Sequence, residues 1–212
     1  MNTEPSESLA ISETRLLHRV QWVATTLLAE AAQRDAVPSA ALAELRDFLV
    51  AALWHYHDTE DDLLWPQLIA ADPAAATGLI ELSAEHDALE VALSTLDAVP
   101  LQDGEARGGL ATAAEAVRDL VHTHLEHEES LLFPALAARV SDAAWTEFSH
   151  AVIDSAPLVG VHLCLGFFEQ LGTPDELAVV TARLSPSALR LVSARRAQAL
   201  NTLNSLQVAG HR

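Results

Sequence analysis

Two short runs of this 212-residue chain set an imidazole beside carboxylates: His57-Asp58-Thr59-Glu60-Asp61 and His124-Leu125-Glu126-His127-Glu128. Each leads into a similar apolar ending, Leu63-Leu64-Trp65-Pro66 in the first and Leu131-Leu132-Phe133-Pro134 in the second. Residues four apart share one face of a helix, so His57 with Asp61 and His124 with Glu128 would each send a ring and a carboxylate the same way, into a bundle interior. That is a metal-binding arrangement. Two such sets buried without cations would strand several charges in low dielectric, whereas two divalent or trivalent ions shared between them would compensate the carboxylates.

Long helices are needed to carry these residues, and the composition favours them: half the chain is apolar, alanine and leucine dominate, and only eight residues are glycine. From Leu9 the residues Leu16, Leu17, Val20, Val23, Leu27 and Leu28 recur at three- and four-residue steps, which predicts a first helix carrying His18 and ending before Pro38. Pro38-Ser39 opens a second, through Leu42, Leu45, Phe48, Leu49 and Leu53 to the first motif, with Pro66 kinking or ending its regular part. Asp72-Pro73 caps a third, with Leu79, Leu82, His86, Leu89 and Leu93 on one stripe. After a loop from Pro100 to Gly109, a fourth runs through Leu110, Val117, Leu120 and Val121 into the second motif and stops near Val140.

Four such helices with short connections make an all-α, up-down-up-down four-helix bundle, with one histidine from every helix at a comparable depth. Beyond it, Ser141-Asp142 caps a further helix, Pro157 interrupts it, Gly172-Thr173-Pro174 forms a turn, and Ser185 to Leu206 is a last amphipathic helix. The expected organisation is a disordered N-terminus over 1–8, the bundle over 9–140 and a C-terminal helical extension over 141–212. The second and fourth helices share the ending Glu-acid-x-Leu-Leu-aromatic-Pro-x-Leu, which suggests pseudo-symmetric halves.

A formal charge of −18 argues against binding nucleic acid or an anionic membrane, since both depend on basic surface. There is no lysine; residues 1–173 hold seven arginines and 28 acids, while 174–212 hold five arginines and two acids, so tail and body have opposite sign. The apolar run Ala156 to Phe168 is too short to span a bilayer. The acidic start Met1 to Glu7 lacks the basic and apolar regions of a signal peptide, so a cytoplasmic protein is expected. Cys164, alone in an apolar run, reads as a small core residue.

The set His18, His57 with Asp61, His86, and His124 with Glu128 resembles the haemerythrin-like family, in its cation-binding branch patterned His…His-x-x-x-Glu…His…His-x-x-x-Glu. The resemblance covers roughly Leu9 to Val140. It includes a proline nine residues after His57 and ten after His124, and the pair Glu85-His86 on the third helix. What it implies is a non-haem di-iron centre, oxo- or hydroxo-bridged, with His18 and His57 on one metal, His86 and His124 on the other, and Asp61 and Glu128 bridging. Mixed imidazole and carboxylate donors suit iron, with manganese or zinc as alternative occupants.

The chain departs from the family at two places. Asp61 stands where the family usually has Glu, one methylene shorter, which makes Glu60 or Asp58 an alternative ligand. Leu82 precedes His86 by one turn, where oxygen-carrying haemerythrins have another histidine. That leaves a position for water, for a carboxylate such as Glu85 or Glu90, or for an exogenous ligand. The expected function is a binding or sensing protein that reacts with oxygen, peroxide or nitric oxide, with an electron donor outside the chain. The alternative is a di-iron enzyme, peroxide-decomposing or oxygen-activating, whose substrate pocket the C-terminal helices complete. Helix pairs of this kind also serve as homodimer contacts. His162 reads as a satisfied core histidine, or alternatively as a residue that enters or gates the metal pocket.

Overall fold

In the computed structural model, residues 8–101, 107–183 and 186–207 are described, and every regular element among them is helical. Of the stretch 1–8 expected to be disordered, residues 1–7 lie outside these residues, as do the middle of the loop after Leu101 and the helix start at Ser185, whereas Ser8 is ordered as the cap of the first helix. Four helices form the bundle: α1 (Leu9–Ala32), α2 (Ser39–Thr59), α4 (Ala76–Asp97) and α5 (Arg107–Arg139). Each packs on its chain neighbours, and α5 closes the ring on α1, as an up-down-up-down order requires. Between α2 and α4 the chain makes a π turn (Glu60–Leu64), a short α3 (Trp65–Ala71) and a 3-10 turn (Pro73–Ala75) whose cap is the Asp72 carboxylate, accepting from Ala74 N–H. Ser8 caps α1 by accepting from Ile11 N–H. No described helix is long and apolar enough to cross a membrane.

The bundle interior consists of two apolar clusters with a polar layer between them. One cluster runs from Val20 to Leu28 of α1, Leu42 to Leu53 of α2, Leu89 to Leu96 of α4 and Leu110 to Leu125 of α5. The other gathers Ala10, Leu64, Trp65, Leu68, Leu79, Leu82, Leu132 and Leu136. On α1, α2 and α4 the change from one cluster to the other falls at the histidine, and on α5 it falls at Glu128, between Leu125 and Leu132, so the same periodicity that builds the core fixes the depth of the polar layer.

Four more helices follow: α6 (Asp142–Ser155), α7 (Val161–Leu171), α8 (Pro174–Ala182) and α9 (Pro186–Gln207). Ser141 caps α6, and Thr173 with Glu176 forms a reciprocal capping box at α8. The hairpin of α7 and α9 lies on α1 and α2. There Leu163, Phe167, Leu203 and Leu206 merge with the larger cluster, while Trp145 of α6 joins the smaller one. Each such buried side chain contributes roughly 1.5–3 kcal/mol, against about 0–1 kcal/mol for an exposed ion pair, so apolar packing holds the extension down. Two glycines permit the fit. Gly160 has φ +61°, and a Cβ there would stand 2.5 Å from Phe48 Cβ; one on Gly166 would stand 2.7 Å from Ala199 Cβ. The opposite charges of tail and body meet at Arg183, 2.7 Å from Glu13, whose carboxylate also accepts from Trp145 Nε1 at 2.8 Å. Cys164 packs against the larger cluster, and burial pushes its thiol up to about 12.

Candidate metal centre

The polar layer holds His18 from α1, His57 from α2, Glu60 from the π turn, His86 from α4, and His124 and Glu128 from α5, all buried. Their ligand atoms fall into two groups, His57 with His86 and His124, and His18 with Glu60 and Glu128, the atoms of each group lying within 4.8 Å of one another. Glu128 Oε2 is 3.4 Å from both His18 Nε2 and His124 Nε2, and Glu60 Oε2 is 3.6 Å from His86 Nε2. The carboxylates thus lie between the groups. The sequence reading paired His18 with His57; the structure instead gathers three imidazoles together and leaves His18 with the two glutamates.

Glu60, not Asp61, enters this layer. Helix phase explains it: seven residues fall about 20° short of two turns, whereas eight overshoot by about 80°. Glu60 is seven residues after the buried Leu53 and four before the buried Leu64, as Glu128 is seven after Val121 and four before Leu132. Asp61 is turned to the flank of the helix, a third exposed. The helix then loosens ahead of Pro66, which has no N–H to donate and whose ring crowds the preceding turn, and Trp65 N–H bonds Glu60 C=O across the widened turn. In α5 the equivalent Pro134 is accommodated without a break in the helix.

Asp61 has a different task. It accepts from His86 Nδ1 at 2.8 Å and from Ser83 Oγ. Glu129 accepts from His18 Nδ1 at 3.0 Å, and Glu85 from His124 Nδ1 at 2.8 Å and His127 Nδ1 at 2.7 Å. A carboxylate on Nδ1 fixes the ring and leaves Nε2 as the ligating atom, the usual support of a metal-bound imidazole. The consequence is sharpest for His86 and His124, whose Nε2 atoms are 3.2 Å apart. With both Nδ1–H groups committed, two nitrogen lone pairs face one another and repel unless a cation, proton or metal, lies against them.

Charge in the layer is equally uncompensated. Both oxygens of Glu60, both of Glu128 and Nε2 of His57 are buried without a hydrogen bond, a state that costs free energy for each. Burial, then the neighbouring Glu128, pushes Glu60 well above the usual carboxylate range. Glu128 is held well below it, because His18 and His124 outweigh its own burial. Burial lowers the His18 ring, but Glu128 and Glu129 prevail and carry it up to about 9. His57 is pushed well down by burial and by the facing imidazoles. Two first-row metal ions would satisfy all of these atoms at once, and the residues present therefore fit such a pair.

Asp58 and Glu90 are exposed. Glu85 supports His124 and His127 rather than reaching the layer. His162 is buried 3.0 Å from Glu44 Oε1, in the contact of α7 with α2. Leu82 is fully buried in the smaller cluster, so no further imidazole comes from α4. Tyr56, which sequence reasoning passed over, brings its hydroxyl to 3.1 Å from His18 Nε2. Its signal was its place four residues before Glu60, on the same helix face.

A family model described as Hemerythrin HHE cation binding domain matches residues 14–136, more than half of the chain, including all six buried donors. Helices α6 to α9 lie outside the match. No curated protein and no solved structure matches the chain.

Proposed function

Since this chain belongs to the haemerythrin HHE cation-binding family, we propose that it is a non-haem di-iron protein that reacts with oxygen, peroxide or nitric oxide in a binding or sensing role. The observation that carries this reading is the layer itself: four imidazoles and two glutamates from four helices and the π turn, buried, close together and without hydrogen bonds for the carboxylates. His57, His86 and His124 would hold one ion and His18 the other, with Glu60 and Glu128 shared between them. Manganese or zinc would suit the same donors.

Iron held there supplies Lewis acidity and one-electron chemistry toward a small diatomic or peroxide. The chain's own residues set the conditions. Asp61, Glu129 and Glu85 orient three of the four rings. Leu64, Leu82, Leu125 and Leu132 close the layer above and below and exclude bulk water. The Tyr56 hydroxyl is a proton donor beside His18. With Leu82 where an imidazole would stand, the donor set is harder and more anionic, which favours the ferric state and reaction over reversible carriage.

Stopped-flow spectra of the reduced, iron-loaded chain test this. The reduced centre is expected to be consumed by oxygen or peroxide, with no adduct that releases its ligand under vacuum. A long-lived oxygenated species that does release it would establish carriage instead. The enzyme reading, with C-terminal helices completing a pocket, is supported by one feature: Leu171 at the end of α7 lines a cavity that reaches His18.

A further inference from the structure

The two donor groups are unequal. One holds three imidazoles, whereas in the other His18 faces only the two glutamates, so an ion beside His18 has fewer protein ligands and the open position for an outside one. The neighbours of His18 on its own helix are unusual as well. On α4, which the up-down-up-down order sets parallel to α1, His86 has Leu82 four residues before it and Leu89 three after, both fully buried. At the same offsets on α1, His18 has Thr14 and Gln21, which are also buried. Residues at these spacings share one helix face. Helical side chains incline toward their own N-terminus, so Gln21 leans over His18 and His18 leans over Thr14, which sets one polar group on either side of the ring.

Neither group is committed elsewhere. Thr14 Oγ1 and Gln21 Oε1 are buried and make no hydrogen bond. The other buried threonines among the described residues, Thr25, Thr59 and Thr202, each donate to a carbonyl of their own helix. Thr14 does not. Apolar side chains are enough for packing at these offsets, as α4 shows, and an uncommitted buried oxygen lowers stability. Two such oxygens beside the ion with fewer ligands point to a guest that completes their hydrogen bonds.

The chemistry of the pair selects the guest. An amide oxygen only accepts, so the guest must bring a proton, while a threonine hydroxyl both donates and accepts. Hydrogen peroxide offers a proton and acceptor oxygens together. Nitric oxide has no proton to give. We propose that Thr14 and Gln21 select the outside ligand of the centre, so that it takes up hydrogen peroxide in preference to nitric oxide. The inference rests on the di-iron reading and narrows its three ligands to one.

The test uses the full chain with Gln21→Leu, Thr14→Val and Thr14→Ser. Stopped-flow mixing of the reduced, iron-loaded proteins with hydrogen peroxide and, separately, with nitric oxide gives the two rate constants. Gln21→Leu should slow peroxide about tenfold, equivalent to about 1.4 kcal/mol, and Thr14→Val about threefold, with nitric oxide slowed by neither and Thr14→Ser like the wild type. Thermal melts of the metal-free proteins supply a readout apart from reactivity. Thr14→Val and Gln21→Leu should both melt above the wild type, because each removes an uncommitted buried oxygen. Melting below the wild type would show that the group serves the fold. Native peroxide rates in both variants, or equal slowing toward both ligands, would overturn the proposal as well. A wild type that takes up no second iron defeats the di-iron reading itself, whereas a two-iron wild type matched by its variants defeats this inference alone.

Discussion

Glu60 and Glu128 bring their carboxylates into one buried layer although Glu60 follows its motif histidine by three residues and Glu128 by four. Counted from the other end the two are equivalent, since each stands six residues before its proline, Pro66 or Pro134. The residues that follow them are equivalent as well: Asp61 accepts from His86 Nδ1 and Glu129 from His18 Nδ1. Each half of the bundle therefore supplies one inward glutamate and, next to it, one carboxylate that orients a ring on another helix. The histidine is the residue that has shifted.

This equivalence separates two neighbouring acids. Glu60→Gln should leave at most one metal per chain, as should Glu128→Gln, because each removes a charge that both donor groups adjoin. Asp61→Asn should keep both metals and bind them about 10–100-fold more weakly, the usual cost of losing a carboxylate behind a ligating imidazole. Metal content after dialysis against a graded chelator series decides between them. Metal loss in Asp61→Asn equal to that in Glu60→Gln would show that Asp61 is itself a ligand.

Metal uptake should release protons and tighten with rising pH. Burial lowers His18 but Glu128 and Glu129 raise it to about 9, so near neutral pH its ring carries a proton that a metal must displace, and burial with the neighbouring Glu128 makes Glu60 hold its proton to higher pH than an ordinary carboxyl does. In the chelator-treated chain the His18 contribution to stability is fully present below its ordinary value of about 6.5 and is lost as pH rises through about 9. Calorimetric titration in buffers of different ionisation enthalpy should count at least one proton released per chain. A count of zero would contradict the charge assignment.

The junction of α1 with α8 should depend on its buried ion pair. Arg183→Met leaves the Glu13 carboxylate buried beside Trp145 and Ser149 without its cation, a loss of roughly 3 kcal/mol. The double variant Arg183→Met, Glu13→Gln should recover much of it, since no charge is then stranded. Urea unfolding of the wild type, the two single variants and the double variant measures the difference; additivity of the two single changes would remove the coupling.

Two glycines should respond in opposite directions. Gly160→Ala meets both a left-handed backbone and Phe48 Cβ at 2.5 Å, and the backbone alone costs about 1–3 kcal/mol. Gly108 lies in the first turn of α5 with no atom within 4 Å of an added Cβ, so Gly108→Ala should stabilise by about 0.4–1 kcal/mol. Thermal melts of the two variants should therefore shift apart; a gain for Gly160→Ala would refute the close packing of α7 on α2.

Much of this organisation was legible in the sequence because it rests on local periodicity and capping. The apolar stripes put His18, His57, His86 and His124 at one depth, and local side-chain bonds let Ser141 cap α6 and Asp72 cap the 3-10 turn ahead of α4, whereas Thr173, which reads only as part of a turn, proves to cap α8. The i, i+4 rule was too coarse for the first motif: His57 shares a face with both Glu60 and Asp61, and only the phase of Leu53 and Leu64 distinguishes them. The shared ending that aligns Glu60 with Glu128 held the same information. The partners of the rings were less legible, since Asp61 and His86, Glu129 and His18, and Glu44 and His162 meet only through packing between distant helices. No local pattern announces such a pair.

The central claim is that six buried donors serve two metal ions, and elemental analysis of the full chain after anaerobic loading with ferrous iron and removal of the excess tests it most directly. Two irons per chain are predicted. A value that stays at or below one would contradict a dinuclear centre.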